Sequence, residues 1–311
     1  MSRLKTLVRN ENGTPPLGGG HSLCQGCGIP MVVRTILDSI ETPVVVVSAT
    51  GCLEVATTRY PTTAWNVPWL HVAFENAAAV VSGVESAYRA LARRGALPQE
   101  GPITFVALAG DGGTYDIGLQ ALSGALERGH RFVFVCYDNE AYMNTGVQRS
   151  GATPFGASTT TSPAGAEALG KAQQRKDMTA IAAAHHIPYV AQAASSHWLD
   201  LSRKAEKAAR VDGPAFLNVL TACPVGWGYE PRLSAALVNA AVDSCYWPLF
   251  EVVDGRWRLT YRPEQRVPVE EWLVPQKRFA HLRRPEAVET VAEIQRRVDA
   301  DWVDLVARCT G

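Results

Sequence analysis

The amino-acid sequence predicts an α/β fold built on a parallel sheet, with a C-terminal appendage. Three short apolar runs, residues 44–47, 103–109 and 132–137, are each bounded by turn residues. Uninterrupted runs of this kind are typical of parallel strands that are covered on both faces. Helical patterns over residues 76–94 and 117–128 separate the runs. The second helix with its two flanking runs is therefore predicted to form a right-handed βαβ unit.

The other elements follow from the same patterns. In chain order they are a helix over 30–39, a helix over 178–185, a strand over 187–190, a helix over 198–210, a strand over 214–220 and a helix over 285–307. A stretch rich in Gly, Ser, Thr and Pro covers residues 144–165. Loops this long without secondary structure are uncommon and are more often functional than not.

The same patterns divide the chain into three parts. Residues 1–20 are predicted to form an extended N-terminal arm, and residues 21–227 the main domain. After residue 227 tryptophans and charges become more frequent and strand patterns weaken. Residues 228–311 are therefore predicted to form a C-terminal extension that packs on partner subunits.

Composition excludes several classes of protein. With 30 basic and 30 acidic residues the formal net charge is zero, so nucleic acid is a poor candidate partner. No apolar run is long enough to span a membrane, and the N-terminus has no apolar secretory segment. An odd cysteine count of 7 favours reduced thiols over a disulfide framework. We therefore expect a cytoplasmic protein with no membrane partner.

A glycine-rich turn follows the second strand, at Gly110, Asp111 and Gly112. Free backbone N–H groups and a following helix make such a turn an anion site, and glycine allows a phosphate to approach closely. The Asp111 carboxylate is a suitable ligand for Mg²⁺ bridging to a phosphate. Asn139 stands at the end of the neighbouring strand, where it can reach the same ion.

This arrangement matches the thiamine diphosphate signature of transketolases, decarboxylases and their relatives. The alternative is that Asp111 is only a helix N-cap, which leaves Asn139 unexplained. The sequence therefore predicts a parallel-sheet thiamine-diphosphate-binding fold.

Four cysteines occupy positions suited to ligation. Cys24 and Cys27 are separated by two residues, and Cys52 and Cys223 each follow a predicted strand. Four thiolates bind either zinc or a cubane iron–sulfur cluster, and the spacing does not separate the two. A redox-active pair at Cys24 and Cys27 is a third alternative, although the thioredoxin context is absent. The remaining cysteines, Cys136, Cys245 and Cys309, are expected to be buried or to lie outside the site.

Several segments together resemble the β subunit of the pyruvate (2-oxoacid):ferredoxin oxidoreductases. They are Gly20-His21, Cys24-Gln25-Gly26-Cys27-Gly28, Ser48-Ala49-Thr50-Gly51-Cys52, Ala73-Phe74-Glu75-Asn76-Ala77-Ala78, Gly110 to Gly118, Asp138 to Gly146, Ser150 to Pro154 and Cys223-Pro224. They occur in order between about residues 18 and 230, so the resemblance is specific.

The resemblance implies roles for individual residues. Cys24, Cys27, Cys52 and Cys223 would ligate a [4Fe–4S] cluster, and Asp111, Asn139 and the Ala141 carbonyl would ligate Mg²⁺. The cofactor pocket would be lined by Thr50, Gly51, Gly110 and Gly112. Asn144 would face the reacting end of the cofactor, and Ile117 would support the cofactor from below. Asp116 would approach the substrate.

The implied activity is thiamine-dependent oxidative decarboxylation of a 2-oxoacid. Electrons would pass one at a time to the cluster and on to ferredoxin, with the acyl group going to coenzyme A. The substrate is left open among pyruvate, branched-chain 2-oxoacids, 2-oxoglutarate and oxalate, the last without coenzyme A. A thiamine carboligase with a zinc site and a non-catalytic iron–sulfur electron carrier are the other hypotheses.

The sequence departs from the family pattern in one place. Some relatives have an acidic residue directly after the Cys-Gly that ends the cysteine pair, where this chain has Ile29. No ferredoxin-like run of eight cysteines is present, so further clusters are expected on a ferredoxin-like subunit among the α, γ and δ type partners. The resemblance also assigns the cofactor-activating glutamate to a partner subunit, and neither Glu54 nor Glu75 is given that role.

Overall fold

The computed structural model describes residues 14–97, 101–165 and 168–310. The described residues form one eight-stranded sheet in the order β2-β1-β3-β4-β6-β5-β7-β8. Its strands are β1 Val44–Ala49, β2 Trp69–Val72, β3 Thr104–Gly110, β4 Val133–Asp138, β5 Tyr189–Ala194, β6 Ala215–Leu220, β7 Phe250–Val253 and β8 Arg256–Leu259. Strands β1 to β6 are parallel, as predicted for all of them except β2, a strand that the sequence analysis did not predict. Strand β7 runs antiparallel to β5 and to β8.

The helices lie on both faces of this sheet. They are α1 Ile29–Asp38, α2 Cys52–Thr57, α3 Ala77–Arg93, α4 Leu119–Glu127, α5 Met178–Ala183, α6 Trp198–Arg210, α7 Pro224–Trp227, α8 Ser234–Asp243, α9 Glu270–Leu273 and α10 Val288–Thr310. One buried cluster joins the sheet to α3, α4, α5, α8 and α10, and a second joins it to α1, α2 and α6. None of the helices within the described ranges is long and apolar enough to cross a bilayer.

The helix predicted over 117–128 begins later than expected. A π-helical turn spans Gly112–Asp116, closed by a 3.2 Å hydrogen bond from the Ile117 N–H to the Gly112 carbonyl, and α4 starts at Leu119. Four of the five residues of this turn are fully buried, so it is part of the sheet edge rather than a surface connection. The widened turn separates the glycines from the regular helix.

The strand predicted over 187–190 also differs, because β5 extends to Ala194. Its second half is Ala-Gln-Ala-Ala, which has few strand-forming side chains. Gln192 is nevertheless buried there: its amide nitrogen donates to the Pro248 carbonyl and its oxygen accepts from Thr179. These tertiary contacts override the local preference.

The C-terminal segment contains elements that the sequence analysis did not predict. Strands β7 and β8 continue the sheet beyond β5, and Phe250, Trp257 and Trp302 belong to the larger buried cluster or pack against it. Whether residues 228–311 pack on partner subunits stays a prediction.

The predicted N-terminal arm falls partly outside the described residues, namely at 1–13. From residue 14 onward the chain packs on its own domain. Leu17 is fully buried and forms an isolated antiparallel β-bridge with Trp65. The Arg34 guanidinium donates hydrogen bonds to the carbonyls of Leu17 and Gly18.

Candidate functional site

The predicted cofactor residues meet at the carboxyl edge of strands β1, β3 and β4. Because these strands are parallel, the turns that follow them lie side by side. A single cleft is lined by Thr50, Gly51, Gly110, Asp111, Gly112, Asn139, Ala141 and Asn144. The structure thus brings together the residues that the sequence analysis assigned to one pocket.

Three polar groups converge in this cleft. One terminal atom of the Asn139 side-chain amide lies 3.0 Å from Oδ1 of Asp111 and 3.0 Å from the Ala141 carbonyl oxygen, and with the amide nitrogen at that position it donates to both. Magnesium binds oxygens octahedrally at about 2.1 Å, which places adjacent ligand oxygens about 3 Å apart. With the amide oxygen at that position, the three oxygens would have this spacing. The three groups therefore fit together without a metal and have suitable spacing around one.

The charge of the site is also suited to a cation. Asp111 is 1% exposed, and burial raises the pKa of its carboxyl well above its ordinary value. The neighbouring Asp138 carboxylate raises that pKa further, whereas hydrogen bonds from Ser150 and the Asn139 backbone lower it. The Ser150 hydroxyl donates to Oδ2 of Asp111 over 2.5 Å. A bound divalent cation would supply the positive charge that a carboxylate needs at this depth.

Asp138, next to the ligand position, is held by a buried ionic network. Its Oδ2 accepts from the Tyr115 hydroxyl at 2.7 Å and from the Arg175 guanidinium at 2.9 Å. Burial raises the pKa of Asp138 to about 6, against the opposing effect of Arg175. Asn218 also donates to the Tyr115 hydroxyl, at 2.7 Å. The network fixes the end of β4, directly before Asn139.

Buried contacts of Glu140 hold the backbone on either side of it. Its backbone φ of 70° is rare for a residue other than glycine. Its fully buried carboxylate pairs with Arg278 and accepts from the Tyr246 hydroxyl at 2.7 Å. The Trp227 indole N–H donates to the Asn139 carbonyl at 2.8 Å. These contacts fix the backbone around Asn139 and leave its side chain and the Ala141 carbonyl facing the cleft.

Close packing explains one of the glycines. A Cβ added to Gly112 would lie 2.2 Å from the Tyr142 ring, far inside contact distance. The Tyr142 hydroxyl donates to the Gly112 carbonyl at 3.1 Å, so the ring lies directly across the turn. Only glycine permits this arrangement.

Three further residues were predicted to act beside the cofactor, and of these Asn144 lines the cleft whereas Ile117 and Asp116 do not. Asn144 is exposed, and Ile117 is 50% exposed although it is a large apolar side chain. Both are accessible to a ligand. The Asp116 carboxylate is already engaged, since it accepts from the Gly151 N–H and from the Lys176 ammonium, each at 2.8 Å. Its predicted approach to the substrate stays a prediction.

The four candidate cysteines lie close enough to affect one another. Burial raises the pKa of Cys27 to about 12, and Cys223, Cys52 and Cys24 raise it further. Burial also raises the pKa of Cys52 to about 12, with added effects from Cys223 and Cys24. Grouped thiols in a partly buried site are the donor set of a metal cluster.

Backbone N–H groups point at two of these sulfurs. The Gly226 N–H donates to Sγ of Cys223 at 3.3 Å, and the Ile29 backbone lowers the pKa of Cys27 by a hydrogen bond. Hydrogen bonds of this kind tune protein-bound clusters. Across the described ranges, no three His, Cys, Asp or Glu side chains form a closed metal-binding group as they stand. Ligation by all four would require the thiols to turn toward a common centre.

Some residues of the site were not anticipated. Ser150 belongs to a segment that carries the family resemblance, so its importance could have been suspected. Arg175 lies in a polar stretch that matches no pattern. A separate cavity of about 690 Å³ is lined by Arg175, Trp247 and residues of α10, and it contains neither the converging polar groups nor the four candidate cysteines.

Comparison with known proteins identifies the family of the chain. Residues 49–219 match the family described as thiamine pyrophosphate enzyme, C-terminal TPP binding domain. The chain is 53% identical to the pyruvate synthase subunit PorB of Methanothermobacter marburgensis, covering 93% of this chain and 96% of that one. It is 50% identical to the PorB subunit of Thermotoga maritima, covering 92% and 90%.

Two more distant proteins extend the comparison. The ketoisovalerate oxidoreductase subunit VorB of Pyrococcus horikoshii is 39% identical, covering 92% of this chain and 91% of that one. A solved structure of the 2-oxoglutarate:ferredoxin oxidoreductase from Magnetococcus marinus aligns with a TM-score of 0.54 at 22% identity, covering 71% of each chain. That structure supports the fold alone. The chain thus belongs to the thiamine pyrophosphate enzymes and, among them, to the family of β subunits of the 2-oxoacid:ferredoxin oxidoreductases.

Proposed function

We propose that this chain is the cofactor-binding β subunit of a pyruvate synthase, a thiamine-dependent oxidoreductase that passes electrons to ferredoxin. Asp111, Asn139 and the Ala141 carbonyl hold Mg²⁺ and, through it, the diphosphate of the cofactor. Cys24, Cys27, Cys52 and Cys223 hold one [4Fe–4S] cluster.

The observation that carries this proposal is the adjacency of the two sites. Gly51 lines the cofactor cleft, and the next residue in the chain, Cys52, is one of the interacting thiols. Electron transfer between two cofactors requires that they lie close together. A thiamine carboligase with a structural zinc site would not need its metal beside the cofactor. The adjacency therefore favours an oxidoreductase.

The residues of the cleft have separable tasks. When bound, thiamine diphosphate would supply the nucleophilic carbon and the electron sink that decarboxylation of a 2-oxoacid needs, and an iron–sulfur cluster would supply a one-electron acceptor. Asp111 and Asn139 orient the metal, and Gly110 and Gly112 let the backbone approach the diphosphate. Asn144 offers an amide within the cleft, and Ile117, whose apolar side chain is half exposed, would support the cofactor from outside the cleft lining.

The chain requires partner subunits for activity. Glu54 accepts from the Thr58 hydroxyl at 3.0 Å and lies 3.6 Å from His71, so it is engaged within the chain. The family resemblance assigns the activating carboxylate to another subunit, and the contacts of Glu54 agree with that assignment. Ferredoxin and a ferredoxin-like subunit receive the electrons, and residues 228–311 form the extension that contacts partners.

Pyruvate is the proposed substrate because the PorB subunits are more similar to this chain than the VorB subunit is, at 53% and 39% identity. The test is ferredoxin reduction by the anaerobically purified complex. Pyruvate, 2-oxoisovalerate, 2-oxoglutarate and oxalate are supplied separately, each with and without coenzyme A. We expect reduction with pyruvate and coenzyme A. Reduction with oxalate alone would contradict the substrate, and a complex lacking thiamine would contradict the function.

A further inference from the structure

The Tyr137 hydroxyl lies between the cofactor cleft and the cysteine set without a hydrogen-bond partner. Tyr137 is 2% exposed, and its hydroxyl oxygen is buried with no donor or acceptor within reach in the described part of the chain. Buried polar groups are normally paired, because leaving one unpaired costs about 1–3 kcal/mol. An unpaired phenol at this depth indicates that its partner is a bound group.

The strand register directs this side chain. Tyr137 pairs with Gly110 of β3 in the parallel ladder, and its ring lies across that glycine, 3.3 Å from where a Cβ would stand. Successive side chains of a strand point to opposite faces. Cys136 therefore faces the hydrophobic core that contains α3 and α4. Tyr137 belongs to the hydrophobic core on the opposite face of the sheet, against which Cys27 and Cys52 pack.

The hydroxyl itself reaches the turn that carries Cys52. A Cβ on Gly51 would lie 3.1 Å from the Tyr137 hydroxyl oxygen, so that oxygen rests against the backbone immediately before Cys52. A phenol hydroxyl carries one hydrogen that it can donate, so Tyr137 is available as a hydrogen-bond donor at this position.

Resting on the function proposed above, we propose that the Tyr137 hydroxyl donates a hydrogen bond to the Cys52 sulfur once that side chain has turned to bind the cluster. A hydrogen bond to a thiolate withdraws negative charge from the cluster and stabilises its reduced state more than its oxidised state. Tyr137 is thus a positioning residue that raises the midpoint potential of the first electron acceptor beside the thiamine cleft.

The experiment uses the complete complex, purified anaerobically with the Tyr137→Phe chain. Tyr189→Phe is the matched control, because Tyr189 is an equally buried strand residue whose hydroxyl donates to Glu251 at 2.8 Å, in another part of the sheet. The cluster in question is identified as the electron paramagnetic resonance signal that is missing from the Cys52→Ala complex. Its midpoint potential is measured by redox titration, together with the iron and thiamine contents.

We expect Tyr137→Phe to lower the midpoint potential of that signal at unchanged iron and thiamine contents, and Tyr189→Phe to leave it unchanged. An unchanged potential in Tyr137→Phe overturns the proposal. A weaker thiamine affinity with an unchanged potential also overturns it, since the hydroxyl would then serve the cofactor. A wild-type complex without any Cys52-dependent signal overturns the proposed function and this inference with it.

A second measurement applies if Tyr137→Phe fails to retain iron. The wild-type complex is labelled with 3-fluorotyrosine, which places fluorine beside the hydroxyl and makes it a stronger donor. We expect a fluorine hyperfine coupling on the Cys52-dependent signal and a raised midpoint potential. Absence of both contradicts the hydrogen bond.

Discussion

The side-chain amide of Asn139 lies 3.0 Å from Oδ1 of Asp111, although the two residues are 28 positions apart in the chain. Parallel pairing of β3 with β4 produces this contact, because it aligns the turns after both strands. The distance fits either a direct hydrogen bond or two ligands of one ion. Binding of a metal is therefore expected to depend on Asp111 more than on any other side chain of the cleft.

Replacing Asp111 with Asn keeps the shape of the side chain and removes its charge. We expect Mg²⁺-dependent binding of thiamine diphosphate to weaken by at least about tenfold, because a direct ligand is lost. Cofactor content and Mg²⁺ titrations of the purified complex measure this. Asp254→Asn, in an exposed turn between β7 and β8, is the control. Undiminished cofactor content in Asp111→Asn would refute the ligand assignment.

Removing the Cys52 thiol tests the cluster ligands. Cys52→Ala should reduce the iron and sulfide content of the complex by one four-iron cluster, because four thiolates are required. Cys309→Ala should have no effect, since Cys309 lies on α10 and not among the interacting thiols. Equal iron contents in the two variants would exclude Cys52 as a ligand.

Arg175 supplies the countercharge of a carboxylate that is fully buried. Arg175→Met should lower the free energy of unfolding by about 3–5 kcal/mol, because it leaves Asp138 with less compensation. Urea denaturation of the chain measures this loss. Adding Asp138→Asn should recover part of it. The comparison is Arg232→Ala, which removes an exposed pair with Glu230 and is expected to change stability little.

A methyl group at Gly112 would collide with Tyr142. Gly112→Ala should therefore displace that ring and reduce thiamine diphosphate binding, measured by isothermal titration in the presence of Mg²⁺. Gly83→Ala is the control substitution, because Gly83 is exposed within α3 and an added Cβ there contacts nothing within 4 Å. The Gly83→Ala substitution should leave cofactor binding unchanged and raise the free energy of unfolding by up to about 1 kcal/mol. Normal cofactor affinity in Gly112→Ala would show that Tyr142 can move freely.

Lys204 gives the chain a specific pH dependence. Burial lowers the pKa of Lys204 to about 8, against the raising effects of Asp200 and Glu251 and with a further lowering by Lys207. Between pH 8 and about 10.4 the unfolded chain therefore binds a proton at this position that the folded chain does not, so stability rises with pH there. The cost of burying the charge is fully present below pH 8.

The measurement compares the wild-type chain with Lys204→Met in urea at several pH values. The difference in free energy of unfolding, wild type minus variant, should rise by up to about 3 kcal/mol from pH 8 to about 10.4. A flat difference would mean that Lys204 keeps its ordinary pKa in the folded state.

The sequence was sufficient for most of the central sheet and for the cofactor cleft. The valine run at Val44 and the apolar runs before Asp111 and Asn139 identify buried parallel strands from local pattern alone. Parallel strands in turn bring their carboxyl ends together, so the proximity of Asp111 and Asn139 followed without coordinates. The predicted α6 matched the observed bounds, Trp198–Arg210, because its amphipathic pattern is regular.

Contacts between distant residues could not be predicted. Arg175 reaches Asp138 and Glu140 across the fold, and nothing in its neighbourhood signals this. The hydroxyl of Ser150 reaches Asp111 from a loop with no regular structure. Strands β7 and β8 are only four residues each, too short for a convincing periodic pattern, and their place in the sheet depends on pairing with β5.

The two added strands also determine how the sheet ends. Without β7, strand β5 would expose unpaired backbone groups, and such edges recruit strands from other molecules. The last strand, β8, is short, places Arg256 and Arg258 on its exposed side and packs against α10. Short, positively charged and covered edges resist this recruitment. The antiparallel pair at this end therefore protects this edge of the sheet from pairing with strands of other molecules.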